Sequence, residues 1–446
     1  MTQKAGFTIK TRGSCKTPRG MGVPPMKHGQ DARATSVSKG FFKTLTIHRI
    51  HVVLLAVLSC ASLLAQATVP AQFPGAIRLL LPPRIYATPG IEMNVYFDNI
   101  CLMANPLNYL FDVNCAKGSQ QTERWTFVPT EEDVGQYPFV IEVRNETNAV
   151  IARAESVLQV APKTAGAGLP ISVLTIGDSL THAAVYPARL LELCKAEGNP
   201  QITLVGHVPN EKAPDVRIEG YGGWTAQRFA TFYKEGERRS GSEDWKTWNS
   251  SGSPFLYADD TGKPVLDFPR YCREFNGGKA PDFVTFLLGC NDNFGANDET
   301  IEASIDTMFK YYDMLVEMVR QTRADTKIGM LLLVPPVGTQ DGFGANYKCG
   351  QTRWQYKRNQ QRVVERTMEK YGKREKENIF LIPSNVNLDC LHNYPTVNVP
   401  WNSQAKGEGR RLNNGVHPAP EGYRQIGDTI FCWIKAQLAT APVSGK

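Results

Sequence analysis

Four short blocks of this 446-residue chain hold the residue types that nucleophilic catalysis needs. The first is Gly177-Asp178-Ser179-Leu180-Thr181, placed where a strand is expected to end and a helix to begin. A Ser on such a turn exposes its hydroxyl, and the helix start aims main-chain N–H groups at an anion. Taken alone, the tripeptide reads as well as a loop whose Ser caps a helix. It is not the Gly-x-Ser-x-Gly turn of the α/β-hydrolases. The second block, Glu219-Gly220-Tyr221-Gly222-Gly223-Trp224-Thr225, lets the backbone approach a ligand closely. The N–H of Gly223 is its candidate donor to an oxyanion, and a plain Gly-rich turn is the alternative. In the third, Gly289-Cys290-Asn291-Asp292, the Asn291 amide is placed to meet a developing negative charge. One such donor lowers a barrier by about 3–4 kcal/mol; turn chemistry is the simpler reading of Asn and Asp there. The fourth block is Asn414-Gly415-Val416-His417-Pro418, a histidine held by proline just before the last predicted helix. A lone His is usually structural, and beyond residue 67 only His182, His207 and His392 compete with His417.

Elements of one kind are needed to bring these blocks together. Residues 171–176 form a continuous apolar run that reads as a buried parallel strand. Further strands are predicted at 202–205, 283–288, 328–334 and 379–382, the fourth stopped by Pro335-Pro336. Helical spacing occupies 186–197, 301–323, 353–377 and 420–437. Five buried strands alternating with helices make an α/β/α sandwich with a parallel sheet. In such sheets the site lies beyond the carboxyl ends of the strands, where all four blocks fall. The polar stretch 235–279 reads as an insertion near the site.

As an ordered set, these blocks resemble the SGNH (GDSL-type) hydrolase family. Its Ser, Gly, Asn and His match Ser179, Gly223, Asn291 and His417 over residues 170–440. The resemblance implies a flavodoxin-like three-layer fold and ester hydrolysis through an acyl-enzyme. His417 takes the Ser179 proton, and the N–H groups of Ser179 and Gly223 with the Asn291 amide hold the oxyanion. Asp178 is expected to brace the turn rather than react, and no metal or organic cofactor is required. One departure stands out. The family usually places Asp three residues before the His, and here that residue is Asn414. Asp→Asn in a serine protease triad costs about 10⁴ in turnover, mainly through the wrong tautomer. The Asn414 amide carbonyl, or a main-chain carbonyl, is the expected orienter of a Ser–His dyad. A fold kept only for carbohydrate binding is the alternative outcome of that substitution.

The rest of the chain sets the context. Residues 68–162 show short β-like stretches separated by turns, predicting a small immunoglobulin-like β-sandwich, with a linker at 163–170 and the catalytic domain at 171–440. The net charge of +7 is concentrated in residues 1–51, which hold ten Lys/Arg against one Asp, so 68–446 is close to neutral. No nucleic-acid partner is implied. Residues 1–40 read as a leader outside the fold or an upstream extension of the true start. Residues 41–67 read as a secretory signal ending in Ala65-Gln66-Ala67, too short to span a membrane, with a retained anchor as the alternative. The mature protein is then secreted or periplasmic, with no stable membrane span. Export permits disulfides, Cys101–Cys115 and Cys349–Cys390 being the candidate pairs, whereas Cys194, Cys290 and Cys432 read as buried thiols. The expected substrate is an O-acetyl ester on a carbohydrate, with lipase, thioesterase or arylesterase activity as alternatives. Aromatic residues Tyr221, Trp224, Trp245, Trp248, Tyr257 and Trp401 suit sugar rings unless they belong to the core.

Overall fold

A computed structural model describes residues 77–210, 213–235, 252–347 and 351–440. The proposed leader and signal segments, Trp245, Trp248 and Cys349 lie outside them.

The first seven strands belong to two small sheets. They are β1 (Arg84–Ala87), β2 (Met93–Tyr96), β3 (Leu110–Asn114), β4 (Ser119–Gln120), β5 (Arg124–Phe127), β6 (Gly135–Arg144) and β7 (Val150–Val160). Their orders are β1-β7-β6-β3 and β2-β5-β4. Along β6 the inward residues Phe139, Ile141 and Val143 are fully buried, and their neighbours are not, as a half-buried strand requires. Trp125 anchors the shared core, its Nε1 donating to the Lys117 carbonyl at 3.0 Å. Gly118 has φ +75°, and a Cβ there would sit 2.5 Å from the Trp125 ring. Val386, from the α/β part of the chain, completes this core.

Polar bonds continue the attachment. Asn94 N donates to Asn387 Oδ1 (2.9 Å), Asn99 Nδ2 to the Leu388 carbonyl (2.8 Å), and Gln361 Nε2 to the Asn99 carbonyl (2.6 Å). The buried Lys357 ammonium meets Asp98 at 2.6 Å.

The larger sheet is built on β8 (Pro170–Gly177), apolar and buried from Val173 onward. On one side it pairs in parallel with β14 (Phe283–Leu287), which continues to β15 (Lys327–Leu331) and β16 (Ile379–Ile382). On the other side two strands share its length. β9 (Gln201–Val205) takes residues 170–174, and β11 (Ala213–Gly220) takes Ile176 and Gly177. An antiparallel strand, β10 (Val208–Asn210), borders β11. The five predicted strands are therefore present in a seven-stranded sheet. The missed pair is visible in retrospect: Val216 and Ile218 are buried while Asp215 and Arg217 are exposed, a period of two.

Helices flank the sheet. Helix Ile301–Thr322 buries Ile301, Ile305, Met308, Phe309, Tyr312, Leu315, Val316 and Val319, one face at helical spacing. Helix Arg353–Tyr371 starts at Thr352, whose side chain accepts from Gln355 N. It stops at Gly372, short of the predicted 377. Within the 235–279 insertion, the described part forms the hairpin β12 (Leu256–Ala258) and β13 (Pro264–Leu266) and the helix Phe268–Phe275. A second hairpin, β17 (Thr396–Pro400) and β18 (Glu408–Leu412), precedes the closing helix Pro420–Thr440.

The expected Cys101–Cys115 disulfide is not formed. Both cysteines are free thiols packed in different apolar clusters, and the Cys101 thiol donates to the Phe97 carbonyl at 3.0 Å. Cys390 is likewise a free, buried thiol; Cys194, Cys290 and Cys432 are buried thiols as expected.

Candidate active site

Strand register assembles three of the four blocks. At the carboxyl end of β8, Gly177 pairs with Leu287 on one side and Gly220 on the other. The segments that follow those three residues carry Ser179, Gly223 and Asn291. The turn at Ser179 is tight. A Cβ on Gly177 would lie 1.9 Å from Thr181 Oγ1 and 2.8 Å from the Leu287 carbonyl, and one on Gly220 would lie 2.5 Å from His182 N. Asp178 caps the short helix Ser179–His182, its Oδ1 accepting from Leu180 N at 2.9 Å. Asp178 thus braces the turn, and Ser179 is left partly exposed at the helix start.

Asn291 is brought beside this turn. Its Nδ2 donates to Asp178 Oδ2 (3.2 Å) and to the Trp224 carbonyl (3.0 Å). A carbonyl only accepts, so the second bond fixes which end of the amide faces the site. Both amide protons are engaged, the longer bond to Asp178 being the weaker. Behind it Asp292 Oδ1 accepts from Ala226 N, while Oδ2 is buried without a partner. Burial pushes the carboxyls of Asp178 and Asp292 up to about 7, and the charge of Asp292 adds to the rise at Asp178. A half-neutral carboxyl opposes a nearby oxyanion less than a fully ionised one.

Gly223 lies at φ +75°, the left-handed region that suits glycine. Among the described residues neither its N–H nor that of Ser179 has a hydrogen-bond acceptor. The loop is held from below: Tyr221 N donates to the Gly177 carbonyl, and Tyr221 Oη to Glu219 Oε2 at 2.9 Å. Glu219 is fully buried. Burial opposes its charge, but bonds from His207 and from Tyr271 Oη (2.6 Å) outweigh that and keep its carboxyl below the usual range. This support was not foreseen, and the short Glu-Gly-Tyr sequence gave only a faint signal of it.

His417 arrives from the opposite end of the chain. The neck of the β17–β18 hairpin is tied by Asn413 N to the Pro395 carbonyl (2.7 Å) and Ala419 N to the Asn393 carbonyl (2.9 Å). Val337 N donates to the Gly415 carbonyl. This framework sets His417 Nε2 2.8 Å from Ser179 Oγ. Asn414 does not face the ring. Its Oδ1 accepts from the main-chain N–H groups of Val416 (3.1 Å) and His417 (2.9 Å), so it shapes the turn instead of orienting Nδ1. The polar atom facing Nδ1 is Tyr347 Oη at 3.3 Å, a residue the sequence did not single out. Desolvation lowers the imidazole from its ordinary 6.5 to about 4.

The aromatic residues expected to line the cleft divide. Tyr221, Trp224 and Tyr257 belong to the core, with Tyr221 stacked on Trp224 at 4.3 Å and Trp224 edge-on to Phe229. Trp401 is 64% exposed on the β17–β18 hairpin.

A serine hydroxyl on an imidazole, beside two open main-chain donors and a side-chain amide, is the equipment of acyl transfer to serine. The family model of the GDSL-like lipase/acylhydrolases matches residues 173–430, more than half of the chain. The protein belongs to that family and is a carboxylic-ester hydrolase. No curated protein matches the chain. Among solved structures it is similar to a family 3 carbohydrate esterase of Clostridium thermocellum, at 14% identity and TM-score 0.35, over 60% of this chain and 99% of the other. A carbohydrate acetylesterase family member from Sinorhizobium meliloti matches at 15% identity and TM-score 0.33, over 60% and 99%. A possible lipase from Chitinophaga pinensis matches at 13% and 0.31, over 61% and 100%. Likenesses at this level assign neither substrate nor mechanism. Among the described residues, no helix is long and apolar enough to cross a membrane.

Proposed function

We propose that Ser179 is the nucleophile and His417 the general base of an exported esterase that removes short acyl groups, most simply acetyl, from carbohydrate. The contact of 2.8 Å between Ser179 Oγ and His417 Nε2 carries this reading. Nε2 takes the hydroxyl proton as Oγ bonds to the ester carbonyl carbon. The N–H groups of Ser179 and Gly223, with the Asn291 amide, hold the resulting oxyanion. The C–O bond to the alcohol then breaks as the imidazolium protonates the leaving oxygen. Water, deprotonated by the same ring, attacks the acyl-enzyme and releases the acid and free Ser179.

Two observations favour a short acyl group on a sugar. A long acyl chain needs apolar surface open to the nucleophile, yet Leu180, Tyr221 and Trp224 around Ser179 are buried in the core. Trp401 offers an open indole face. Its ring lies on Gly407 and Gly409, where added Cβ atoms would come within 2.4 and 3.1 Å of it. Its hairpin leads directly into the His417 turn. Hydrolysis of p-nitrophenyl esters of increasing chain length, and of acetylated xylan, tests the proposal in wild type and Ser179→Ala. Acetate turnover abolished by Ser179→Ala supports it, faster turnover of long chains points to a lipase, and no turnover by folded wild type points to a binding protein.

A further inference from the structure

The proposed general base lacks the carboxylate usual in its family, and Asn414 does not take over the task at the ring. Function as a base requires Nε2 to be unprotonated when it meets Ser179 Oγ, which puts the ring proton on Nδ1. That N–H then needs an acceptor on a fixed support. We propose that Tyr347 is the positioning residue of His417, its phenolic oxygen accepting from Nδ1–H and holding the ring in the tautomer that serves Ser179. The inference rests on the assignment of Ser179 and His417 as nucleophile and base.

Location and rigidity carry it. Tyr347 Oη lies 3.3 Å from His417 Nδ1, on the side of the ring away from Ser179. The distance is long for a hydrogen bond, as catalytic contacts often are before substrate binds. The phenol itself is fixed. Its ring packs against Phe294 (centroids 5.2 Å apart) and Phe343 (5.5 Å), and Tyr347 N donates to the Phe343 carbonyl at 3.2 Å. Phe294 comes three residues after Asn291, so the clamp ties this ring to the third block. Gly415 ties it to the fourth: a Cβ there would lie 2.9 Å from Tyr347 Cδ2 and 2.8 Å from Phe343 Cδ2. The absence of a side chain at position 415 lets the phenol close on the imidazole.

A phenol orients without charge. A carboxylate at Nδ1 would favour the imidazolium and raise its pKa, whereas burial beside a neutral partner leaves the ring weakly basic. An imidazolium formed there readily returns its proton to the leaving alkoxide. The device fixes a tautomer and leaves basicity low.

Tyr347→Phe in the full chain keeps the ring packing and deletes only Oη. The expected result is a ~10- to 100-fold loss in kcat with KM within about twofold, the loss of one bond to a charged group. The thermal midpoint should be unchanged. In ¹⁵N spectra of His417, the Nδ1–H tautomer should dominate in wild type and give way to a mixture in the variant. A packing role alone would move neither kcat nor tautomer, and that outcome overturns the proposal. Dominance of Nε2–H in wild type overturns it as well, and this spectrum decides the matter if Tyr347→Phe does not fold. Absence of Ser179-dependent turnover would refute the assignment of the nucleophile, while the tautomer still reports on Tyr347.

Discussion

Acidification probes the charge balance at His417. The ring must be neutral to accept the Ser179 proton, and desolvation holds it down to about 4. The groups on its two nitrogens are Ser179 and Tyr347, both uncharged, so no Coulombic attraction offsets that depression. From 6.5 to 4 is about 2.5 units, or roughly 3.4 kcal/mol against the imidazolium at about 1.36 kcal/mol per unit. The residue as a whole is only half-buried, so about 2 kcal/mol is the working figure. The limb of kcat/KM set by His417 should therefore lie near pH 4 to 5, well below that of a carboxylate-oriented triad, and fall about tenfold per unit beneath it. Hydrolysis of p-nitrophenyl acetate, followed at the isosbestic wavelength of the product, gives the profile. Asp178 and Asp292 titrate at about 7 and add an inflection there, which Asp292→Asn identifies by shifting it. Asn414→Asp provides the sign control. The carboxylate keeps both main-chain bonds and adds a charge beside the ring, so the His417 limb should move to higher pH. A limb near 6.5 that persists in Asp292→Asn would show that desolvation does not depress the His417 imidazole. Stability follows the same depression. Between about 4 and 6.5 the unfolded chain binds a proton at His417 that the folded chain does not, so this residue removes stability as pH falls through that window.

Two further outcomes test the packing around the site. Gly177→Ala places a methyl against Thr181 Oγ1 and the Leu287 carbonyl, and because the carbonyl belongs to the central sheet it does not yield. A loss of about 1–3 kcal/mol in urea unfolding, with a larger proportional loss of turnover, is expected, and an unchanged midpoint contradicts the close approach. Asp292→Asn retains an acceptor for Ala226 N and removes a buried charge. The folded pKa of Asp292 lies above its unfolded value, so the carboxyl costs stability as pH rises through 4 to 7. The variant should melt higher than wild type at pH 8 by the equivalent of about 1–3 kcal/mol and gain little at pH 4.

The parts legible in the sequence share one property: their signal is local. Continuous apolar runs marked β8, β9, β14, β15 and β16, and each block stood at a strand end or helix start with its own turn residues. Strand β11 was missed because only Glu219 and Gly220 pair with β8, so most of its length keeps the alternation of an edge instead of a buried run. The disulfide expectation failed because spacing carries no information on which apolar cluster a thiol joins. Tyr221 and Trp224 went to the core because the Gly-rich loop folds inward over Glu219, and Tyr257 because the β12–β13 hairpin packs it inward with its hydroxyl on Glu274, contacts between side chains that no period reveals. Tyr347 was invisible for the same reason. It meets His417 across 70 residues, through a contact that depends on the missing side chain at Gly415.

The ion pair between Lys357 and Asp98 has a consequence for ancestry and for engineering. Lys357 is 1% exposed and projects from a hydrolase helix, while its counter-charge comes from the β-rich segment far upstream. A recombination event that covered the same face with a partner lacking Asp98 would leave this cation buried without its counter-charge, at a cost of several kcal/mol, whereas truncation to residues 173–430 would open it to water. Val386 would lose the neighbours that bury it as well. Shuffling this hydrolase onto a different N-terminal partner that covers the same face demands a new anion at the position of Asp98, or the replacement of Lys357 by an apolar residue in the same step.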